Sequence, residues 1–330
     1  MKKFLAAFLC ASMALSLSAC GEDAEIPNDD KESSVSDSQN TCGNSTDGSG
    51  DSEGSKPEES SEDSNSSADE PSANEEDFQY EDYEGGVKIV GYLGSSENVI
   101  IPETIKGSPV VKIDDGAFEK SEVKNVTIPK GVTEIGDFAF NGCKSLESVV
   151  VPNSVIYIGE GAFFDCWGLK STNIPSGVTE IKQYTYYWCK SLESITVPDS
   201  ITYIAPSAFE GSMIKSVNIP SGVTEISEKA FMNCTALESI AIPDTLTAIG
   251  SSAFYGCTSL TRFTVPDGVT SIGILAFSNC TSLENVIIPD SVTKIDEGAF
   301  TKSENIQVTY KGKIYSYAEI DDLRAAVNGG

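Results

Sequence analysis

The stretch of sequence that decides the fold is CKSLESVVVPNSVIYIGEGAFFDC, which occupies residues 143–166. It combines three consecutive valines at 149–151, a proline at 152 and the dipeptide Ala162-Phe163. Its last residue, Cys166, begins the next copy of the same phrase, so the stretch is one complete unit of a repeat. Repeats with a period of about 20–50 residues indicate solenoids, propellers or arrays.

The Ala-Phe dipeptide recurs outward from this unit in both directions at steps of 22 or 23 residues. Thr185-Tyr186 fills the one place where the dipeptide is replaced. The matching dipeptides begin at Ala117, Ala139, Ala162, Ala208, Ala230, Ala253, Ala276 and Ala299. A unit of this size cannot bury an apolar face alone, so each copy must stack on its neighbours. The sequence therefore predicts a solenoid of about nine units of 22–23 residues.

Within the unit, the valines at 149–151 predict a short strand. Side chains alternate across a strand, so we expect Val149 and Val151 to point inward and Val150 to point outward. Pro152 ends the strand because proline has no N–H to continue a ladder. A second extended piece, such as residues 132–135, leads to the Ala-Phe turn.

The repeat resembles the BspA-type leucine-rich repeat of bacterial surface proteins over residues 85 to about 310. This resemblance implies short parallel β-strands and a cap at each end, because terminal repeats must shield the core. Residues 100–102 and 107–110 resemble the entry repeat of that family, and residues 310–315 and 318–327 resemble a closing hairpin and helix. We therefore expect the solenoid with its entry repeat over residues 85–309 and a C-terminal cap over 310–330.

Residues 1–19 resemble a bacterial export signal, with Lys2 and Lys3 ahead of a short apolar run. The end of this segment, Leu17-Ser18-Ala19-Cys20-Gly21, resembles a lipobox, in which the cysteine becomes lipid-modified. The alternative is an ordinary signal peptide with a chance cysteine. The lipobox predicts export and lipid attachment at Cys20, which would anchor the chain on the outer side of a bacterial membrane, at the cell surface.

Residues 20–84 follow as a predicted disordered tether. Residues 21–84 contain 22 Asp and Glu residues against Lys31 and Lys56, and they hold few large apolar side chains. Such a composition cannot bury enough apolar surface to offset the entropy of ordering. A loose calcium-binding role is the alternative to a solvated spacer.

The composition excludes several classes of function. The net charge of −28 argues against nucleic-acid binding, which needs Lys and Arg against phosphates. The chain contains no histidine, the commonest general base and metal ligand. It also lacks a Gly-rich phosphate loop and a G-x-S-x-G motif, so the sequence predicts no enzyme, no metal site and no cofactor.

Two columns of chemically active residues follow from the stacking itself. One column alternates in sign along Lys124, Glu147, Lys170, Glu193, Lys215 and Glu238, and we expect vertical ion pairs there. Another holds six cysteines, at Cys143, Cys166, Cys189, Cys234, Cys257 and Cys280. Disulfides or a metal site are the alternatives, but parallel side chains suit neither geometry well. The sequence favours small buried thiols.

The candidate binding residues are those that break the rule of the repeat. Phe164 and Tyr187 should be stacked neighbours, and Trp167, Tyr184 and Trp188 lie in the same two units. The position after the Ala-Phe pair also holds other bulky residues, at Met232 and Tyr255. An exposed aromatic group of this kind is a candidate recognition patch for protein or for sugar rings. The alternative is that bulky residues only cover the turn where Thr185-Tyr186 has replaced Ala-Phe.

The sequence thus favours a surface-displayed binding or adhesion module with an unidentified protein or glycan partner. The alternative is an architectural or self-associating component of the cell envelope without a specific ligand. An enzyme is the least favoured class, although a fold alone does not exclude activity.

Overall fold

A computed structural model of the protein describes residues 74–329. These residues form one solenoid of stacked turns, each about 23 residues long, with parallel strands. The export segment, Cys20 and most of the predicted tether lie outside the described residues. Within residues 74–329 no helix is long and apolar enough to cross a membrane.

The first strand of each turn stacks into a parallel ladder, here called ladder A. In residues 148–151, Val149 and Val151 are buried whereas Val150 is 66% exposed, so the predicted alternation is confirmed. The strands of ladder A are Asn98–Ile100, Asn125–Thr127, Ser148–Val150, Ser171–Thr172, Ser216–Asn218, Ser239–Ala241, Arg262–Thr264, Asn285–Ile288 and Gln307–Tyr310.

The second extended piece of each turn forms another parallel ladder, here called ladder B. Most of its strands are only two residues long because the chain must turn at once toward the Ala-Phe corner. The strands of ladder B are Gly86–Tyr92, Ser108–Ile113, Glu134–Ile135, Tyr157–Ile158, Glu180–Ile181, Tyr203–Ile204, Glu225–Ile226, Ala248–Ile249, Ser271–Ile272 and Lys294–Ile295.

The core is a continuous stack of aromatic rings at the Ala-Phe corners. Successive rings from Phe118 to Phe300 lie 4.9–5.7 Å apart between centroids, and their planes are within 19° of parallel. Tyr186 takes the place of phenylalanine in this stack and is fully buried, but its hydroxyl has no hydrogen-bond partner within residues 74–329. Stacking adds to the favourable free energy of burying each ring. One aromatic residue per turn therefore helps to hold the turns in register.

The N-terminal end of the solenoid begins earlier than the composition predicts. A 3₁₀ helix spans Glu75–Asp77, and a strand spans Phe78–Tyr83 and pairs antiparallel with Gly86–Tyr92. These residues fall inside the predicted tether of residues 20–84, so that boundary is wrong. Phe78 is buried against Tyr92 and Phe118, which provides the apolar contact that the acidic composition of the tract concealed.

The entry turn also contains the short strand Thr104–Ile105, which pairs antiparallel with Ser108–Ile113. At the other end, Lys313–Ser316 forms a hairpin with Gln307–Tyr310, and a 3₁₀ helix at Tyr317–Glu319 leads into the helix Ile320–Asn328. The Asn328 carboxamide accepts a hydrogen bond from the backbone N–H of Ile295 at 2.8 Å and donates one to its carbonyl at 3.0 Å. This side chain therefore pairs with the last rung of ladder B as another strand would.

Ladder B is interrupted twice, between Tyr157–Ile158 and Glu180–Ile181 and again between Tyr203–Ile204 and Glu225–Ile226. Where the ladder continues, the residue after the strand is often glycine, and a Cβ at Gly159 would lie 2.5 Å from the backbone nitrogen of Asp137. Lys182 and Ser227 occupy this position at the two interruptions. At the second interruption the Ser227 hydroxyl donates to the Ile204 carbonyl at 2.5 Å, whereas ladder B continues through the turns that hold Ala205 and Asp296.

Ladder A is interrupted next to the same region. Ser171–Thr172 pairs with the preceding strand but not with the following turn, where Ser194 makes only a single bridge to Ser216. Asn173 compensates on the preceding side, because its carboxamide exchanges two hydrogen bonds of 2.8 and 2.9 Å with the backbone of Val151. The turns around residues 158–194 are therefore the least regular part of the solenoid. A second interruption separates Ser239–Ala241 from Arg262–Thr264.

Candidate functional site

The Ala-Phe corner of each turn is flanked by two residues with positive φ. Glycine fills many of these positions, but Phe138, Tyr184 and Trp188 adopt φ values of 55–59° with bulky side chains. Bulky residues are uncommon in this region of backbone space because of steric strain. The preferred backbone conformation therefore does not explain why aromatic residues occupy these positions. Their side-chain contacts must account for them.

These three residues and Phe164 and Tyr187 form the turn-face cluster. The rings of Phe164 and Tyr187 are stacked with centroids 4.6 Å apart, and Tyr184 meets both of them edge to face at 6.1 and 5.5 Å. Phe138 meets Phe164 at 6.1 Å, and Trp188 stacks on Tyr187 at 6.1 Å. The structure thus brings Phe164, Tyr184, Tyr187 and Trp188 together. All five rings are half-buried.

Part of this cluster has a packing role. The Trp188 ring lies across Gly211 of the next turn, where an added Cβ would come within 2.6 Å of the indole. The indole Nε1 of Trp188 is buried and has no hydrogen-bond partner among the described residues. Burial also raises the pKa of Tyr187 to about 12. The cluster spans the turns whose strands are interrupted, so its rings help to hold those turns together.

Trp167 lies apart from these rings and is the more exposed tryptophan, at 36% of its surface. The Nζ of Lys144 lies 4.2 Å from the centroid of the Trp167 ring, and the Nζ of Lys190 lies 3.8 Å from it. The indole Nε1 donates a hydrogen bond to Asp165 Oδ1. We call these four residues the Trp167 site. Each cation–π contact contributes about 0.5–1 kcal/mol at an exposed position.

The two lysines of the Trp167 site differ from their neighbours in having no carboxylate partner in the described part of the chain. The Nζ of Lys190 also lies 4.6 Å from the centroid of the Trp188 ring. Lys190 therefore connects the Trp167 site to the turn-face cluster. Both lysines are exposed. On a chain with an excess of acidic residues, this is a local concentration of uncompensated positive charge beside aromatic surface.

Met232 and Tyr255 do not join this group. They continue the same column of side chains beyond Glu210, and neither makes a ring contact with the turn-face cluster within residues 74–329. Glu210 separates them from Tyr187, and burial raises the pKa of the Glu210 carboxyl. The candidate surface is therefore divided by a half-buried acid.

Four residues of this surface are absent from the sequence-based list: Phe138, Lys144, Asp165 and Lys190. A signal for the two lysines exists in the columns of the repeat, because Lys144, Trp167 and Lys190 occupy equivalent positions in successive turns. Phe138 and Tyr184 likewise share one column with Gly161 between them. A column that alternates between large and small residues indicates that a side chain leans over the neighbouring turn.

The six cysteines pack as the sequence predicts. All are fully buried free thiols, and each Sγ–H donates to the carbonyl of a corner residue, as Cys143 does to Phe118 at 2.9 Å and Cys280 does to Phe254 at 3.1 Å. Burial raises the pKa of Cys143, Cys234 and Cys280 to about 12. A thiol that stays protonated is a poor nucleophile and a poor metal ligand.

The alternating charge column forms vertical pairs only in part. Lys170 binds Glu147 and Lys215 binds Glu193, both at 2.7 Å, whereas Lys124 binds Glu97 at 2.6 Å. The partners are exposed, and such surface pairs contribute about 0.2–1 kcal/mol. The hydrogen bond from Lys170 lowers the pKa of Glu147. These charges stabilise the stacking of the turns.

A groove on ladder A offers little chemistry. An open groove of about 500 Å³ crosses ladder A, and its lining from Ser194 to Ala241 contains short hydroxyl, amide and aliphatic side chains without an ionisable group. No group of three or more His, Cys, Asp or Glu side chains in residues 74–329 could hold a metal ion.

Comparison with known proteins identifies the repeat. The family described as "BspA type Leucine rich repeat region" matches in six copies over residues 111–238 and 224–319. No curated protein matches the chain.

Two solved structures show the same fold. A leucine-rich repeat protein from T. pallidum is 30% identical over 56% of this chain and 88% of its own, with a TM-score of 0.53. A leucine-rich repeat protein from Bacteroides ovatus is 26% identical over 70% of this chain and 80% of its own, with a TM-score of 0.52. The family match over residues 111–238 includes the turns that carry the candidate surface.

Proposed function

The chain belongs to the BspA-type leucine-rich repeat proteins, and on this basis we propose that it is a binding or adhesion module displayed on a bacterial surface. Its partner is a protein or a glycan, and the contact is made through the turn face, the surface around residues 164–190 formed by the turn-face cluster and the Trp167 site. A solenoid of this family is consistent with such a role. Repeat solenoids present a long rigid surface on which local departures from the repeat create a specific site.

One observation carries the proposal. The Trp167 site places an exposed indole and two lysines without carboxylate partners next to a cluster of five aromatic rings. Tryptophan and tyrosine are enriched among residues that dominate binding energies, since they combine a large apolar area with a polar edge. A purely structural turn does not need an exposed tryptophan, as the regular turns of the same chain demonstrate with threonine at this position.

The proposal includes export and lipid anchoring. In it, Cys20 carries the lipid and holds the solenoid on the outer side of the membrane, with the acidic segment between them as a spacer. Several acyl chains on one residue give durable anchoring, since each buried CH₂ contributes about 0.8 kcal/mol. Labelled palmitate should enter the wild-type protein in cells and should not enter a Cys20→Ser variant. Equal absence of label from both proteins would contradict the anchor.

Partner recognition is testable on an array of glycans and extracellular matrix proteins. The protein for this test is the chain from residue 20 onward with Cys20→Ser, which keeps the entire predicted mature sequence in soluble form. We expect a reproducible signal that Trp167→Ala reduces at least about tenfold, a loss typical of a central aromatic contact.

The matched control is Tyr203→Ala, which removes a comparably exposed aromatic from ladder B, 43% exposed against 36% for Trp167. The control should retain the signal. If both variants bind as the wild type does, the turn face is not the binding surface. If concentration-dependent self-association is the only interaction found, the architectural alternative replaces the binding role.

A further inference from the structure

The geometry of the Trp167 site points to a class of ligand. We propose that Lys144, Trp167 and Lys190 bind an acidic sugar residue of a carboxylated or sulfated glycan, with Asp165 as the group that orients the indole. This inference rests on the proposed binding function, because it names the ligand for part of the same surface. It follows from charge, from the faces of the indole and from the way the indole is held.

The Trp167 site carries two ammonium groups on one indole ring. Lys144 precedes Trp167 by one turn and Lys190 follows it by one turn, and their ammonium groups lie 4.2 and 3.8 Å from the same ring centroid. Neighbouring exposed lysines at Lys170 and Lys215 are neutralised by glutamates at 2.7 Å. Among the described residues, the two ammonium groups of the Trp167 site lie against the faces of indole rings and against no carboxylate. They are therefore available to an anion.

The faces of the indole restrict which anion fits. Because the lysines cover the ring, a ligand that stacks on Trp167 must displace an ammonium group, and that displacement is unfavourable unless the ligand also supplies a negative charge. An acidic sugar offers both groups at once, since its C–H face covers the indole and its carboxylate or sulfate accepts from the lysine. A neutral sugar supplies only the face. An aspartate or glutamate side chain supplies only the charge.

The orientation of the indole is set by hydrogen bonding. Trp167 Nε1 donates to Asp165 Oδ1, so the ring does not rotate away when the lysines move. Lys190 is also held near the Trp188 ring at 4.6 Å, which keeps one ammonium group at the edge of the turn-face cluster. The single carboxylate of Asp165 offsets one of the two lysines. The site therefore retains a net positive charge on an acidic protein.

The experiment compares two matched pairs of polysaccharides at one fixed salt concentration, because screening changes every charge contact. Polygalacturonate is compared with its fully methyl-esterified form, and dextran sulfate is compared with dextran. Binding to the chain from residue 20 onward with Cys20→Ser is measured by calorimetry. We expect binding to at least one acidic member and not to its uncharged counterpart. Which acidic polymer binds distinguishes a carboxylate ligand from a sulfate ligand.

Variants then assign the binding to the site. The double variant Lys144→Gln/Lys190→Gln should weaken binding at least about tenfold, as expected when two charge-assisted contacts are lost. The control Lys170→Gln/Lys215→Gln removes the same two charges from ion pairs elsewhere, and it should change the affinity little. Circular dichroism should remain unchanged in both variants, and the urea midpoints should fall only slightly and by similar amounts, since all four side chains are exposed and each contact contributes about 0.2–1 kcal/mol.

Three results would overturn the inference. They are binding of polyglutamate as tightly as the acidic polysaccharide, an equal loss of affinity in the control variant, and no binding to either acidic polymer. A different result would reject the acidic-sugar ligand and leave the proposed function intact. If Trp167→Ala abolishes an array signal from a protein or a neutral glycan while neither acidic polymer binds, the binding role stands and the acidic-sugar ligand is wrong.

Discussion

The turns from Glu225 to Ile295 and the turns from Ile158 to Ser194 follow the same repeat, but their strands pair differently. In the first region ladder B is continuous through Ala248–Ile249 and Ser271–Ile272, and only ladder A is interrupted, before Arg262–Thr264. In the second region both ladders are interrupted. The regular region has an unbroken phenylalanine stack, and the irregular region has Tyr186 in that stack and a cluster of aromatics outside it. Regular pairing of ladder B therefore accompanies an unbroken phenylalanine stack, and interrupted pairing accompanies an unusual surface.

The backbone contacts explain how the irregular region stays folded. On the corner side, the hydrogen bonds between turns continue through it, as from Phe163 N–H to the Thr185 carbonyl at 3.0 Å and from Trp188 N–H to the Glu210 carbonyl at 2.7 Å. Stacked corners thus tolerate gaps in the strand ladders. At such gaps a side chain can contribute to the protein surface and need not pack between turns.

The largest effect is expected from breaking the regular region. Phe254→Ala removes a fully buried ring that stacks on Phe231 at 5.7 Å and on Phe277 at 5.3 Å. The cavity should cost about 3–5 kcal/mol of unfolding free energy, measured from urea denaturation. A loss below about 1 kcal/mol would show that the stack does not carry the stability assigned to it.

A smaller effect on stability is expected when a residue typical of one region is introduced at the equivalent position of the other. Gly250→Ala would place a Cβ 2.7 Å from the backbone nitrogen of Glu228, so it should strain ladder B at this turn and destabilise the protein by about 1–3 kcal/mol. The reverse exchange, Lys182→Gly, should change stability by no more than about 1 kcal/mol, since the ladder there is already interrupted. Urea midpoints of the two variants would test this asymmetry. Equal losses would refute the role of glycine in strand pairing.

Tyr186→Phe should make the irregular region more like the regular one. The buried Tyr186 hydroxyl has no hydrogen-bond partner, and its removal leaves the ring stacked between Phe163 and Phe209. Relief of an unsatisfied buried group should stabilise the protein by about 1–2 kcal/mol. Thermal unfolding measures the gain. A lower melting temperature in the variant would mean that the hydroxyl has a partner in solution.

The smallest effect depends on pH. Burial raises the pKa of Glu210 above its usual 4.5, so the neutral acid favours the fold, and this contribution is lost as the pH rises through the raised value. Glu210→Gln should therefore be more stable than the wild type at pH 7 and match it at low pH. Glu147 provides the opposite case, because its bond from Lys170 lowers its pKa. Glu147→Gln should be less stable than the wild type at pH 7, with the difference vanishing in acid. Urea midpoints at both pH values decide the signs.

Much of the fold is predictable from the sequence because each unit repeats the same interactions. The corner phenylalanines, the alternation of Val149, Val150 and Val151, and the buried cysteines all follow from their spacing alone. The strand Phe78–Tyr83 is not predictable from composition, since its apolar residues lie at the end of a long acidic tract. Charge averaged over that tract conceals a local alternation.

The candidate site is less predictable than the fold. Four of its aromatics are correctly grouped by sequence because they lie in adjacent turns, but Met232 and Tyr255 are separated from them by Glu210. The role of Lys144 and Lys190 depends on where flexible side chains lie, and spacing does not determine that. The interruptions at Lys182 and Ser227 depend on whether the backbone yields to a Cβ, which differs between one turn and the next.

The central claim is a division of roles, in which the regular turns carry stability and the irregular turns carry recognition. Measuring both properties on Trp167→Ala and Phe254→Ala tests it most directly, with array binding recorded at a temperature at which both variants are folded. This division of roles predicts that Trp167→Ala loses binding with only a small fall in its urea midpoint, while Phe254→Ala keeps binding and its midpoint falls far more. Parallel loss of both properties in both variants would contradict it.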